Sequence, residues 1–122
     1  MGRGQAGTMI PIVSVRVVEA FTAAQLPLIR AAVEEVLAVS PRVVVLELDE
    51  CPAIDAAGVA YVVDLHRRLR RDERRLEVHH PTERVRRVLT HLRLDRILPV
   101  RPAASSLDGD APAAGAAVVG VR

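Results

Sequence analysis

Residues 43–71 read VVVLELDECPAIDAAGVAYVVDLHRRLRR, and this stretch decides the fold. Its start, residues 43–48, is a near-continuous apolar run rich in β-branched side chains, which is typical of a strand buried on both faces. From residue 58 to residue 71 the apolar side chains recur at helical spacing, with arginines around the other side. The stretch therefore predicts a central strand, a short loop and an amphipathic helix.

Strands and helices are also predicted on both sides of this stretch. Residues 10–18 alternate valine with polar residues, as a strand does, and residues 24–39 carry an apolar stripe of helical period. Because proline is tolerated in the first helical turn, Pro27 indicates that this helix begins near Leu26. The poorly patterned residues 19–22 leave room for one more strand. Further along, the pattern predicts a strand at 75–80, a helix at 85–92 and a short edge strand at 97–100.

This alternation of strands and helices predicts an α/β fold. The chain has 122 residues, half of them hydrophobic, which suits one domain with its own core. We place this domain at residues 10–101, between flexible tails at 1–9 and 102–122 that are rich in small and polar residues. Within the second tail, residues 116–121 are apolar enough to dock as a strand.

The tetrad Asp55-Ala56-Ala57-Gly58 lies between the central strand and its helix. Aspartate is a favoured N-cap, so Asp55 is expected to accept hydrogen bonds from the backbone N–H groups of Ala57 and Gly58. This interpretation is purely structural and requires no partner.

Residues 44–65 resemble the signature of the STAS domain, the fold of bacterial anti-sigma factor antagonists. The family pattern is an apolar strand, Asp-Leu, six residues, Asp-Ser-Ser/Thr-Gly and a helix, and the spacing here matches without a gap. Asp55 and Gly58 are retained, while Glu47 stands in place of the first aspartate. The resemblance covers residues 10–100 and implies a STAS-like single domain with a mixed four- to five-stranded sheet flanked by helices. Arg93 stands after the last helix, where the family commonly has glycine.

The resemblance also implies a function. In that family a partner kinase phosphorylates one of the two hydroxyl positions after the aspartate, and these positions fall on Ala56 and Ala57, which cannot accept phosphate. We therefore expect a non-catalytic module that binds an anti-sigma factor or a related kinase-like protein without phosphorylation control. The expected partner-binding residues are Asp55, Ala56, Ala57, Gly58, Val59, Tyr61 and Val62.

Two other functions stay open. One is a STAS regulator of a transporter or of a lipid-transport complex, and the other is a STAS domain that binds a small ligand or nucleotide at the same helix N-terminus, where free N–H groups favour anions. Whether the chain forms a homodimer is also open. An enzyme is the least favoured class, because the sequence offers no set of acid, base and nucleophile.

No cofactor or metal site is expected. The four histidines form no pair at the i, i+4 spacing of a helical metal site, and Cys51 is the only cysteine. Cys51 is interpreted as a small buried residue beside the loop. Phe21 and Tyr61 are the only aromatic residues, which leaves no stacking platform for single-stranded nucleic acid.

Two features concern location and charge. The sequence lacks both a run long and apolar enough to span a membrane and the apolar segment of a signal peptide, which predicts a cytoplasmic protein. All 17 basic residues are arginine, a usage that indicates a GC-rich bacterial genome. The arginine-rich run at 66–75 is interpreted as a solvated helix end whose cations complement the helix dipole. Nucleic acid is the first alternative partner, but a net charge of only +2 and the lack of a DNA-binding motif argue against direct binding of nucleic acid. An anionic protein or phospholipid head group is the other alternative.

Overall fold

The computed structural model describes residues 12–102 and 118–121. In this part of the chain five strands and three helices are formed. The strands are β1 (Ile12–Val17), β2 (Val43–Glu47), β3 (Arg75–His79), β4 (Val100–Arg101) and β5 (Val118–Val121), and the helices are α1 (Leu26–Leu37), α2 (Ala56–Arg71) and α3 (Glu83–His91), followed by a 3-10 turn at Leu94–Arg96.

The strands form one sheet in the order β4-β3-β2-β1-β5. The predicted α/β class is confirmed. The predicted mixed sheet is not found in the described part of the chain, where all four strand pairings are parallel. A helix follows each of β1, β2 and β3 and returns the chain to the end of the sheet at which the strand began. The next strand therefore runs in the same direction.

The three helices cover one face of the sheet. From β1 to β4 each helical crossover moves the chain one strand further in the same direction, and right-handed crossovers that all step the same way place their helices on the same side. Alternate residues of β1, β2 and β3 point toward these helices. The buried ones include Val13, Val15, Val17, Val44, Leu46, Leu76 and Val78.

The middle of β2 is buried on both faces of the sheet, as its sequence predicts. Val44, Val45 and Leu46 are each at most 3 % exposed. On the face away from the helices the parallel register aligns four polar side chains across the sheet, one from each of β1 to β4. They are Arg16, Glu47, His79 and Arg101.

Next to this row lies Glu77, which is only 5 % exposed. Its carboxylate accepts from Arg75 Nε at 2.8 Å and from Arg101 Nε at 3.3 Å, and it lies 2.9 Å from Nε2 of His79. Burial by itself raises the pKa of Glu77, but the hydrogen bonds from His79 and Arg75 and the charges of Arg75 and Arg101 outweigh it, so the pKa is below its ordinary value.

This network predicts a pH-dependent stability. A carboxyl group whose pKa is lowered by folding stabilises the fold above its unfolded pKa of about 4.3, and the contribution disappears as the pH falls through the folded pKa. Glu77→Gln is expected to lower the free energy of unfolding at neutral pH by about 1–2 kcal/mol. Urea unfolding of both proteins should show that the free energy of unfolding falls less in the variant than in the wild-type chain between about pH 6 and about pH 3. Equal losses would contradict this assignment.

The predicted boundaries of helices and strands agree with most of the observed elements. Helix α1 begins at Leu26 with Pro27 in its first turn, as expected. The proposed extra strand at 19–22 is wrong, since only Phe21 pairs there, in a single parallel bridge with Ile54. The short edge strand predicted at 97–100 is present as β4 at the edge of the sheet. It begins only at Val100, because a 3-10 turn and Pro99 precede it.

The prediction for the C-terminal segment needs one correction. Val118–Val121 forms β5 on the free edge of β1, so the assignment of residues 102–122 to a flexible tail is wrong for these four residues. The expectation that residues 116–121 dock as a strand is confirmed for the same four. Apolar residues pair there with a strand edge that would otherwise leave its backbone groups unbonded. The predicted tail at 1–9 and residues 103–117 lie outside the described part of the chain.

The residue that follows the α2 C-cap has left-handed backbone geometry without being glycine. The N–H of Arg74 donates to the carbonyl oxygen of Leu69 at 2.8 Å, and the N–H of Glu73 donates to that of Arg70 at 3.0 Å, which together form a Schellman motif. Glu73 therefore has a φ of 62°, a conformation that glycine adopts without strain.

We expect Glu73→Gly to raise the free energy of unfolding by about 0.5–1 kcal/mol, because relief of the left-handed strain exceeds the added entropy of the unfolded chain. Glu73→Ala is the matched control and should give no gain, since its Cβ remains. Urea unfolding monitored by circular dichroism measures both. A glycine variant no more stable than the alanine variant would contradict the expectation.

Candidate partner-binding site

The candidate site is built on the loop that joins β2 to α2. Phe21, which is completely buried, holds this loop from the side. Its N–H donates to the carbonyl oxygen of Ala53 at 2.8 Å, and its carbonyl oxygen accepts from the N–H of Asp55 at 3.2 Å. The loop is also held from the N-cap of α3, because Thr82 Oγ1 donates to the carbonyl oxygen of Cys51 at 2.8 Å. The loop before α2 is therefore fixed by hydrogen bonds on two sides.

Asp55 is the N-cap of α2, as predicted. Its Oδ1 accepts from the N–H of Gly58 at 2.9 Å, and its Oδ2 accepts from the N–H of Ala23 at 3.2 Å. These bonds, the one from Gly58 first, hold the pKa of Asp55 below its ordinary value. Asp55 thus connects the start of α2 to the segment before α1, and it places one fixed negative charge beside the two alanines.

Gly58 brings α2 into direct contact with the backbone of Phe21. A Cβ at this position would overlap the carbonyl oxygen of Phe21 and lie 2.9 Å from Ile54 Cγ1 and from Phe21 Cδ1. Gly58 is itself buried. The glycine of the tetrad is therefore required by the packing of the chain against itself.

Ala56 and Ala57 form the first turn of α2. Ala56 is exposed and Ala57 is half-buried, and their side chains are methyl groups. A small apolar surface consequently stands at the open end of the helix, next to the carboxylate of Asp55.

A shallow groove of about 330 Å³ runs between the first halves of α1 and α2. Its lining combines small apolar side chains with one residue of each charge, so it suits a mixed apolar and polar side chain of another molecule. The lining residues are Leu26, Arg30, Ala57, Ala60, Tyr61 and Asp64.

Tyr61 forms the floor of this groove. Its ring lies 5.0 Å below the Arg30 guanidinium and 6.3 Å from the ring of Phe21. The residue is 7 % exposed, and its hydroxyl has no hydrogen-bond partner among the described residues. Burial, with a smaller effect of Glu34, raises the pKa of Tyr61 to about 12, so the hydroxyl is neutral and able to donate a hydrogen bond.

An ion pair joins the two helices one turn further along. Arg68 donates to both carboxylate oxygens of Glu34, at 2.7 and 3.0 Å. The hydrogen bond from Arg68 lowers the pKa of Glu34. Both side chains are nearly half exposed, so the pair adds less than about 1 kcal/mol to stability, and its main effect is to align α1 with α2.

The predicted site residues divide into two groups. Asp55, Ala56, Ala57 and Val59 reach the surface at least in part, and Tyr61 lines the groove. Gly58 and Val62 do not: Gly58 is packed on Phe21, and Val62 is 1 % exposed within the core. Contact of these two residues with a partner stays a prediction, and in this structure the face of α2 that carries them points toward the sheet.

The α1 side of the groove, Leu26 and Arg30, is absent from the predicted set. Neither residue stands in a motif, and their distance from α2 depends on how the two helices pack on the sheet. One weak signal was available in the sequence, an arginine at residue 30 on a helix start that is otherwise apolar.

The fold and the position of the tetrad agree with one family. A family model described as "Mlab, STAS domain" matches residues 12–99. The chain belongs to the STAS domain family. The match includes β1, the capped loop and all of α2, so the candidate site lies within the matched region. No curated protein gives a significant match.

STAS domains are protein-interaction and regulatory modules. Within the described residues, no helix of this STAS domain is long and apolar enough to cross a membrane. The same residues contain no group of three or more histidine, cysteine, aspartate or glutamate side chains that could hold a metal ion. Cys51 is buried, as predicted, and burial raises the pKa of its thiol.

Proposed function

We propose that this STAS domain is a non-catalytic module that binds a partner protein through the start of α2 and the adjoining groove, without phosphorylation control. The partner that we propose is an anti-sigma factor or a related kinase-like protein. The observation that carries the proposal is the rigidly held helix start, which presents two methyl groups where a phosphorylation switch would need a hydroxyl.

The rigidity of the loop supports docking. The backbone bonds of Phe21 and the two hydrogen bonds of Asp55 fix the helix start before any partner arrives. Binding to a surface that is already ordered costs less conformational entropy than binding to a mobile loop.

The groove supports the same surface. A partner side chain that enters between α1 and α2 would replace solvent over Ala57 and Ala60 and would contact the exposed edge of Tyr61. Arg30, whose guanidinium has no carboxylate within 4.0 Å among the described residues, favours an acidic or polar acceptor.

The alanines determine how the interaction is controlled. A phosphate at position 56 or 57 would add about −1.5 to −2 charges next to Asp55 and oppose a fitted interface by repulsion and desolvation. Since neither alanine accepts phosphate, the loop stays in the unmodified form. We therefore propose that binding is regulated by the amount of this protein or of its partner.

A second candidate uses the same surface. A STAS regulator that is a permanent subunit of a transporter or lipid-transport complex would have no need of reversible release. The absence of a hydroxyl at positions 56 and 57 favours this candidate as well, so identification of the partner must separate the two.

The test is affinity capture from the source organism with the wild-type chain and with Ala57→Asp, followed by mass spectrometry. Capture of a kinase-like anti-sigma factor by the wild-type chain alone would support the first proposal. Capture of transporter subunits by the wild-type chain alone would support the second candidate instead. A partner captured equally by both proteins would contradict docking at the start of α2.

A further inference from the structure

Unpaired arginines collect at one end of the domain. Three connections, residues 39–42, 70–75 and 91–97, lead from the helices back to the sheet. We call the surface that they form the basic end, and we define it by six arginines and three aliphatic residues. These are Arg42, Arg70, Arg71, Arg74, Arg93 and Arg96, together with Val39, Leu92 and Ile97.

The topology brings these residues together. Each helix runs opposite to the strands, so the carboxyl ends of α1, α2 and α3 all lie at the amino-terminal edge of the sheet. The backbone confirms the contact between two of the connections: the N–H of Arg75 donates to the carbonyl oxygen of Arg42 at 3.0 Å, next to the paired residues Val43 and Arg75.

Lack of ion pairs separates these arginines from most others. Among the described residues, none of the six has a carboxylate oxygen within 4.0 Å, although Asp72, Glu73 and Asp95 belong to the same connections. Six other arginines of the described chain do form such pairs. Those are Arg16, Arg68, Arg75, Arg86, Arg87 and Arg101.

Complementation of the helix dipoles explains only part of this arrangement. Arg70 and Arg71 lie in the last turn of α2, where a cation is favourable. Arg42 precedes a strand, and Arg93 has a φ of 62°, where glycine would be less strained. The fold alone therefore does not require an arginine at these two positions.

The same end exposes apolar side chains. The described residues include four large aliphatic side chains that are about half exposed, and three of them, Val39, Leu92 and Ile97, belong to the basic end. The fourth, Leu28, lies near the start of α1. Exposed aliphatic groups among unpaired cations suit a surface that is anionic outside and apolar beneath.

The opposite end of the sheet carries paired charges, since Arg16 lies beside Asp49 and Glu50, and Glu83 pairs with Arg86 and Arg87. Asp49, Glu50, Asp55 and Glu83 lie there, in the loops and helix starts that follow the strands. The proposed partner-binding site belongs to that edge. A contact at the basic end would therefore leave the start of α2 accessible.

We propose that the basic end is a peripheral contact site for a bilayer that contains anionic phospholipids. The arginines attract the head groups, and the three aliphatic side chains enter the boundary between head groups and acyl chains. Nucleic acid fits less well, because both aromatic residues are buried and the exposed side chains are aliphatic. This inference is independent of the proposed partner protein.

The experiment is co-sedimentation of the full chain with vesicles of phosphatidylglycerol and phosphatidylcholine, and with vesicles of phosphatidylcholine alone. We expect binding to the anionic vesicles only, with a loss as the salt concentration rises. The double variant Arg93→Glu, Arg96→Glu should bind at least about tenfold more weakly. The matched control is Arg84→Glu, Arg87→Glu, which makes the same charge change at the same spacing on α3 and should keep binding within about twofold.

A second pair of variants tests the aliphatic contribution. Leu92→Asn with Ile97→Asn is expected to weaken vesicle binding severalfold while thermal unfolding stays cooperative. Soluble polyglutamate should compete poorly with the vesicles. The proposal is overturned if the wild-type chain does not sediment with anionic vesicles, if the two arginine variants lose binding equally, or if polyglutamate competes fully, which would indicate an acidic protein surface instead.

Discussion

Replacement of Gly58 by alanine is expected to lower the free energy of unfolding by about 3 kcal/mol. The added Cβ would overlap the carbonyl oxygen of Phe21 and press on two carbon atoms at 2.9 Å. The carbonyl group has no room to retreat, since it accepts the N–H of Asp55 at 3.2 Å and its residue is completely buried. The gain of about 1 kcal/mol from alanine's better helix propensity offsets only part of this cost.

Equilibrium unfolding in urea, followed by circular dichroism, measures this difference. Ala57→Ser is a suitable control, because residue 57 is adjacent but half-buried, and it should change stability by less than about 0.5 kcal/mol. If Gly58→Ala is as stable as the wild-type chain, α2 does not pack on Phe21 as described.

The second large effect is expected at Ala57. Ala57→Asp should weaken binding of the captured partner at least about 100-fold, because it places a second negative charge beside Asp55 on a surface that the partner must desolvate. The fold should persist, since an anion in the first turn of a helix is favourable.

Isothermal titration of the purified partner measures this loss. Ala57→Asn has nearly the size of aspartate without its charge, so it should lose much less affinity than Ala57→Asp. Equal losses for the two variants would show that size, and not charge, governs the interface. Unchanged affinity in Ala57→Asp would exclude residue 57 from it.

The order of elements could be predicted from the sequence because each pattern is local. The apolar run of β2, the helical stripe of α2 and Pro27 at the start of α1 all depend on a few neighbouring residues. The N-cap at Asp55 belongs to the same class, since its bond to Gly58 spans three residues.

The direction of the strands and the limits of the site could not be predicted in the same way. Parallel pairing of the described strands depends on which end of the sheet each crossover reaches, and no single residue encodes that. Gly58 and Val62 stand in the family motif and on its helix, yet they face the core, whereas Arg30 has no motif and reaches Tyr61 only after α1 and α2 pack. The motif therefore indicates only part of the site, and the rest is formed by residues that are distant in the sequence.

Amide hydrogen exchange of this STAS domain with and without its captured partner tests the central claim most directly. We expect new protection over residues 55–64 and over residues 26–31, on the two sides of the groove. Protection confined to the basic end or to the face of the sheet away from the helices, with residues 55–64 unchanged, would contradict docking at the start of α2.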